Sequence, residues 1–132
     1  MLTPSEAAST LIVVNDYALT DWADRFAAAI SALAARVEKE GHPGVRSYLF
    51  FLAAGGTSAR AVIRYDGPDA WIGHHRISFP WDEMRAMHAA ARLVRVAFLG
   101  PFTDGMRDWL ARSPLDAELV HYDRRADGFD RA

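Results

Sequence analysis

The sequence predicts an α+β domain of the ferredoxin-like βαββαβ kind: an antiparallel sheet with helices on one face. Three observations lead there. A β-branched run near the start is followed directly by an amphipathic helix. Two apolar runs then flank a Gly-containing turn, as in a hairpin. Helical segments follow, and an apolar run near the end supplies a last strand, giving β-α-β-β, then helices, then β.

Residues 11–17 (Leu-Ile-Val-Val-Asn-Asp-Tyr) read as strand one, because β-branched side chains favour a pleated backbone. Thr20 is the expected N-cap of the next helix, with Asp21 and Asp24 in its positive first turn. Trp22, Phe26, Ile30, Leu33 and Val37 follow at spacings that form one helical face. Gly41 and Pro43 stop that helix. Residues 45–52 and 58–65 read as strands two and three, joined by the flexible turn at 53–57. Pro68 is placed to start a short helix through residues 70–75. Ser78 and Pro80 open a longer helix, expected over 81–99, with Met84, Met87, His88, Ala91, Val94 and Phe98 at helical spacing. Gly100-Pro101 ends it. Residues 102–112 form a last helix with Phe102, Met106, Trp109 and Leu110 inward, and residues 117–122 form strand four.

A chain of 132 residues fits one domain, with its core over about residues 10–122. Residues 1–9 and 123–132 are expected to be flexible. Hydrophobic residues make up 51% and charged residues 24%, which excludes a disordered chain. A net charge of −2 argues against a nucleic-acid module, which needs clustered positive charge. With no cysteine, disulfides, thiolate metal sites and a cysteine nucleophile are excluded. No apolar run reaches the roughly 18–20 residues of a membrane span. The N-terminus lacks a basic region followed by an apolar stretch, so a cytoplasmic location is expected.

A sheet covered on one side should alternate apolar and polar residues. Here strand two offers Val45, Leu49 and Phe51 on one face and Tyr48, Phe50 and Leu52 on the other. Strand one is apolar on both faces in the same way. Helices can bury one of those faces. A second copy of the chain is the expected cover for the other, giving a homodimer through the open sheet face.

The Ala-rich helix of the Phe26-Ala27-Ala28-Ala29-Ile30 kind and the Pro43-Gly44-Val45-Arg46-Ser47-Tyr48 entry into strand two carry a resemblance. So do the strand ending Arg64-Tyr65-Asp66 and a His in the following helix. Over about residues 10–122 the chain resembles the antibiotic biosynthesis monooxygenase-like family of dimeric α+β barrels. The resemblance implies oxidation of a small aromatic or quinol-like substrate with O2 and no cofactor. The family's haem-degrading members use an Asn on strand one, a Trp ending strand three and a His on the next helix. Asn15 and His74 or His75 are similar, but Tyr65 stands where those members have Trp, which ranks haem degradation low.

Cofactor-free oxygenation needs a base, donors for a developing oxyanion, and a dry aromatic pocket. His titrates near neutrality and suits the base. His74 and His75 are therefore catalytic candidates; adjacent helical residues point about 100° apart, so at most one is expected to face the pocket. Asn15 interrupts an apolar strand, and a buried amide must find a hydrogen-bond partner or a ligand. Tyr17, Tyr48, Tyr65, Trp71, Trp81 and His88 are candidates for the substrate-binding walls. No metal is expected, since His75 and His88 have no carboxylate at ligand spacing. The alternatives to an oxygenase are a polyketide cyclase or isomerase and a non-catalytic small-ligand-binding dimer of the same fold.

Overall fold

The computed structural model describes residues 10–131. The expected flexibility of residues 1–9 and of residue 132 lies outside the described residues. The elements in chain order are β1 (Leu11–Leu19), α1 (Ala23–Glu40), β2 (Val45–Leu52), β3 (Ser58–Tyr65), α2 (Pro68–Ser78), α3 (Asp82–Ala90), β4 (Ala91–Leu99), α4 (Asp104–Arg112) and β5 (Glu118–Tyr122). One five-stranded sheet runs in the order β2-β3-β1-β4-β5. The fold is α+β and ferredoxin-like, with β1 at the centre of the sheet.

The expected helix over 81–99 is corrected. Helix α3 stops at Ala90, and residues 91–99 form β4, paired antiparallel to β1 from Ala91 opposite Leu19 to Leu99 opposite Ile12. Residues 92–99 (Arg-Leu-Val-Arg-Val-Ala-Phe-Leu) fit a helical stripe and a β-branched strand equally well. The unpaired edge of β1 decides between them, since a buried strand edge must be hydrogen-bonded. The expected final strand is β5, which joins β4 in parallel at the edge, so the sheet is mixed rather than wholly antiparallel.

The start of α1 is corrected as well. Trp22, not Thr20, occupies the N-cap position, and no side chain caps the helix. Asp21 accepts from the Trp22 N–H at 2.8 Å, and Thr20 instead donates its hydroxyl to Ala89 O at 3.0 Å. Trp22 leaves the apolar face and is 78% exposed. Phe26, Leu33 and Val37 do face the sheet and are buried. Helix α2 is longer than the expected 70–75, because Pro68 already has the backbone angle of a first helical turn.

The core lies between the sheet and the helices. Leu11, Val13 and Tyr17 of β1, Ala61, Ile63 and Tyr65 of β3, and Phe98 of β4 point into it. The alternate residues point to the other face, where none of the described elements packs over Leu49 (51% exposed) and Phe51 (56% exposed). Between such apolar residues, Asp16 accepts from Arg60 at 2.6 Å, and Arg95 bridges Asp16 and Glu118 at 4.0 and 3.9 Å. Four strands are thus tied by charges across the open face.

Candidate active site

A cavity of about 100 Å³ lies between the helical layer and the core face of the sheet. Its floor is Asn15 and Tyr17 from β1, Tyr48 from β2, and Ile63 and Tyr65 from β3. Helix α2 contributes Trp71, His74, His75 and Ser78, and α3 contributes Met84, Met87 and His88. Leu93, Val96 and Phe98 of β4 form one wall, and Trp109 and Leu110 of α4 another. None of the lining residues is Asp, Glu, Lys or Arg.

The side chains reach the cavity for local reasons. Asn15 and Tyr17 are two apart on a strand and so share its inward face. Asn15 Nδ2 donates to the Tyr17 hydroxyl at 3.2 Å, which leaves the Tyr17 proton free to be donated onward. Burial pushes the Tyr17 hydroxyl up to about 12, partly offset by that bond from Asn15. Burial also raises Tyr48 and Tyr65 well above the ordinary phenol range. All three phenols are therefore neutral donors at pH 7.

Both members of the adjacent His pair line the cavity, against the expectation that at most one would. The cavity wraps around the helix rather than lying against one line of it. His74 is 2% exposed and packs edge-on to Tyr48 and against Tyr65, with ring centroids 5.4 and 5.9 Å apart. His74 Nδ1 is buried with no hydrogen-bond partner. Burial, then the neighbouring His75 and His42, bring its pKa down to about 3. His75 Nδ1 lies 2.8 Å from Trp71 O, an acceptor only, so this nitrogen carries the proton and Nε2 keeps its lone pair. The Trp71 and His75 rings lie 4.6 Å apart. Burial brings His75 down to about 4, partly offset by the Trp71 carbonyl, and His88 is lowered by burial too. The cavity therefore presents three uncharged imidazoles at pH 7.

Trp81 is not among the cavity walls. Its ring lies under the Arg36 guanidinium, 4.3 Å from the centroid, and Arg36 also donates to Glu83 at 2.8 Å. It thus belongs to the α1–α3 contact, and its place beside the His pair in sequence does not survive the turn at residues 79–81. Sequence reasoning missed Leu93, Val96 and Phe98 as one wall, because residues 91–99 read as helix. The three fall at positions facing Tyr17, Asn15 and Val13. Among the described residues no three His, Cys, Asp or Glu side chains are grouped to hold a metal ion. Among the described residues no helix is long and apolar enough to cross a membrane.

No protein-family model and no curated protein matches the chain. Solved structures do match it. MupZ from Pseudomonas fluorescens superposes with a TM-score of 0.68 at 18% identity, over 93% of this chain and 95% of that one. SnoaB, a cofactor-independent oxygenase from Streptomyces nogalater, matches in a mutant form with a TM-score of 0.60 at 16% identity, over 73% of this chain and 93% of that one. A Caulobacter crescentus protein provisionally named an antibiotic biosynthesis monooxygenase has a TM-score of 0.51 at 19% identity, over 70% and 90%. At these identities the common property is the architecture: this chain has the fold of the antibiotic biosynthesis monooxygenase-like proteins.

Proposed function

We propose that the chain is a cofactor-independent oxygenase that oxidises a small aromatic or quinol-like molecule with O2 in this cavity. The observation that carries the reading is the set of neutral His, Tyr and Asn groups gathered in one ring-walled cavity. The shared fold of the oxygenase SnoaB supports it. In this reading His75 Nε2 takes a proton from an activated C–H or O–H of the substrate. Its ring is held by the Trp71 carbonyl, which fixes the tautomer and orientation of the base. In the same reading Asn15, Tyr17 and His74 donate to the oxygen on which the negative charge settles. The substrate anion then passes one electron to O2, and the resulting radical pair combines to a peroxide. The peroxide takes up the proton held by His75 and eliminates water. With an anthrone, a CH2 group thereby becomes C=O, one oxygen atom leaves as H2O, and no outside reductant is consumed.

A second reading, a polyketide cyclase or isomerase, is favoured by the absence of any Lys or Arg from the walls. A full substrate anion would find no fixed cation there, whereas proton transfer between neutral groups needs none. Oxygen-electrode assays with anthrone and a naphthoquinol separate the two. Oxygen uptake matching product formation one to one is the expected result. Equal turnover under argon would assign the site to proton transfer alone.

We further propose that a second copy covers the open sheet face, where Ile12, Val14, Leu49, Phe51 and Val62 are left without cover by the chain's own helices. Sedimentation should give twice the 14.6 kDa chain mass. Phe51→Arg should give the single-chain mass, since a buried unpaired charge costs several kcal/mol, on the order of 3–5. A single-chain mass for the unaltered protein would remove the dimer.

A further inference from the structure

His42 lies outside the cavity, in the turn between α1 and β2, and nothing in the proposed chemistry uses it. Its surroundings are unusually tight. Its Nδ1 accepts from the Gly44 N–H at 2.9 Å, which places the ring proton on Nε2. Its carbonyl accepts from the Val45 N–H at 3.1 Å. One bond thus holds the ring and the other its backbone. One edge faces an open groove beside the Arg46–Asp66 ion pair, whose bonds are 2.7 and 2.9 Å. The other edge presses on α2 at Gly73. A Cβ on Gly73 would overlap His42 Cδ2 and lie 2.9 Å from Nε2. A Cβ on Gly44 would lie 2.5 Å from Ala70 Cβ and 3.0 Å from His42 Nδ1. Gly44 is itself pinned to β3, its carbonyl accepting from the Asp66 N–H at 2.8 Å.

Two glycines and one imidazole thus form a solid contact between this turn and the first two turns of α2. Glycine in the middle of a helix is unfavourable unless something needs the space, and here the His42 ring occupies it. The contact falls at residues 70 and 73. Ala70 is one helical turn before His74 on the same face, and Gly73 immediately precedes it. Whatever fixes those two positions also fixes how far His74 and His75 reach into the cavity.

We propose that His42 is a positioning residue, a spacer between the 41–45 turn and α2 that sets the placement of the His74–His75 pair. The inference uses the proposed function only for its consequence on turnover. Its structural content is tested without any substrate.

The experiment is ¹H–¹³C NMR of the imidazole Cε1–H signals in His-labelled full-length protein, with a companion oxygen-uptake assay on anthrone. In the unaltered chain the His74 and His75 signals should not titrate between pH 5 and 8. In His42→Ala both signals should move, His74 should begin to titrate in that range as water enters, and kcat should fall about tenfold or more with KM little changed. Gly73→Ala, which overfills the same contact from the other side, should move the same two signals; it serves alone if His42→Ala does not fold. The double variant, in which the new methyl takes space vacated by the ring, should bring the signals back toward their original positions. Unmoved His74 and His75 signals in His42→Ala would overturn the inference even if thermal stability fell. So would simple additivity in the double variant. Moved and restored signals in a protein that consumes no oxygen would uphold the spacer and refute the oxygenase reading instead.

Discussion

Replacing His75 with Phe should lower kcat for a turned-over quinol or anthrone by about 10²–10⁴, the usual worth of a placed proton-transfer group. The fold should survive. Phe keeps a ring against Trp71, and the Trp71 carbonyl retains its helical acceptor role when the side-chain bond at 2.8 Å is lost. KM should change little, because the lost interaction belongs to the proton transfer rather than to uniform binding. The pH profile is the sharper readout. Burial holds His75 near 4, so its neutral, proton-accepting form prevails at every pH above about 5. The unaltered protein should show a flat kcat/KM from about pH 5 to 8, with no inflection at 6.5, where an exposed histidine would titrate. An inflection near 6.5, or full activity in His75→Phe, would remove His75 as the base. The same assay on His74→Phe tests the donor role; an unchanged kcat would remove it.

The second large effect is on stability. His74 near 3 and His75 near 4 both lie below the ordinary 6.5 of an unfolded histidine. Between those values the unfolded chain binds protons that the folded chain refuses. Stability therefore rises with pH across this window and falls as pH drops below about 6.5. At pH 5 each of the two histidines contributes about 2 kcal/mol of destabilisation relative to pH 7.5, and about 4 kcal/mol together. This is a large part of the roughly 5–15 kcal/mol that holds a domain folded. His88, also lowered by burial, acts in the same direction. The lowered carboxylates Asp21, Asp66 and Glu83 act only near and below their ordinary values, so pH 5 isolates the histidines. Urea midpoints at pH 7.5 and 5.0 measure the loss. The double variant His74→Phe/His75→Phe should remove most of the pH dependence; a midpoint in the unaltered protein that does not move would show that the pair is not held uncharged by burial.

The cavity walls were largely legible in the sequence, and their reasons were local. Asn15 stands out as an amide in a β-branched strand, and Tyr17 follows it on the same face. Tyr48 and Tyr65 lie at inward positions of the hairpin, and the His pair sits on the one helix that must pack over it. Trp81 is the exception, because nearness in sequence is not nearness in space. One turn of backbone at residues 79–81 carries it to Arg36 instead. The wall from β4 was hidden by a true ambiguity. Met84, Met87, His88, Ala91, Val94 and Phe98 keep helical spacing across a boundary that no Gly or Pro marks.

By itself, the sequence determined the hairpin, the long amphipathic helix, the apolar character of both sheet faces and the absence of thiol chemistry. These follow from side-chain type and spacing along a few residues. Tertiary structure alone decided that residues 91–99 are a strand, because only the open edge of β1 needs their N–H and C=O groups. It alone decided that both His74 and His75 enter the cavity uncharged, because desolvation depends on what six other elements close over them. It also decided that His42, an unremarkable residue in a turn, stands behind them; no periodicity along the chain records which glycine a ring will press against.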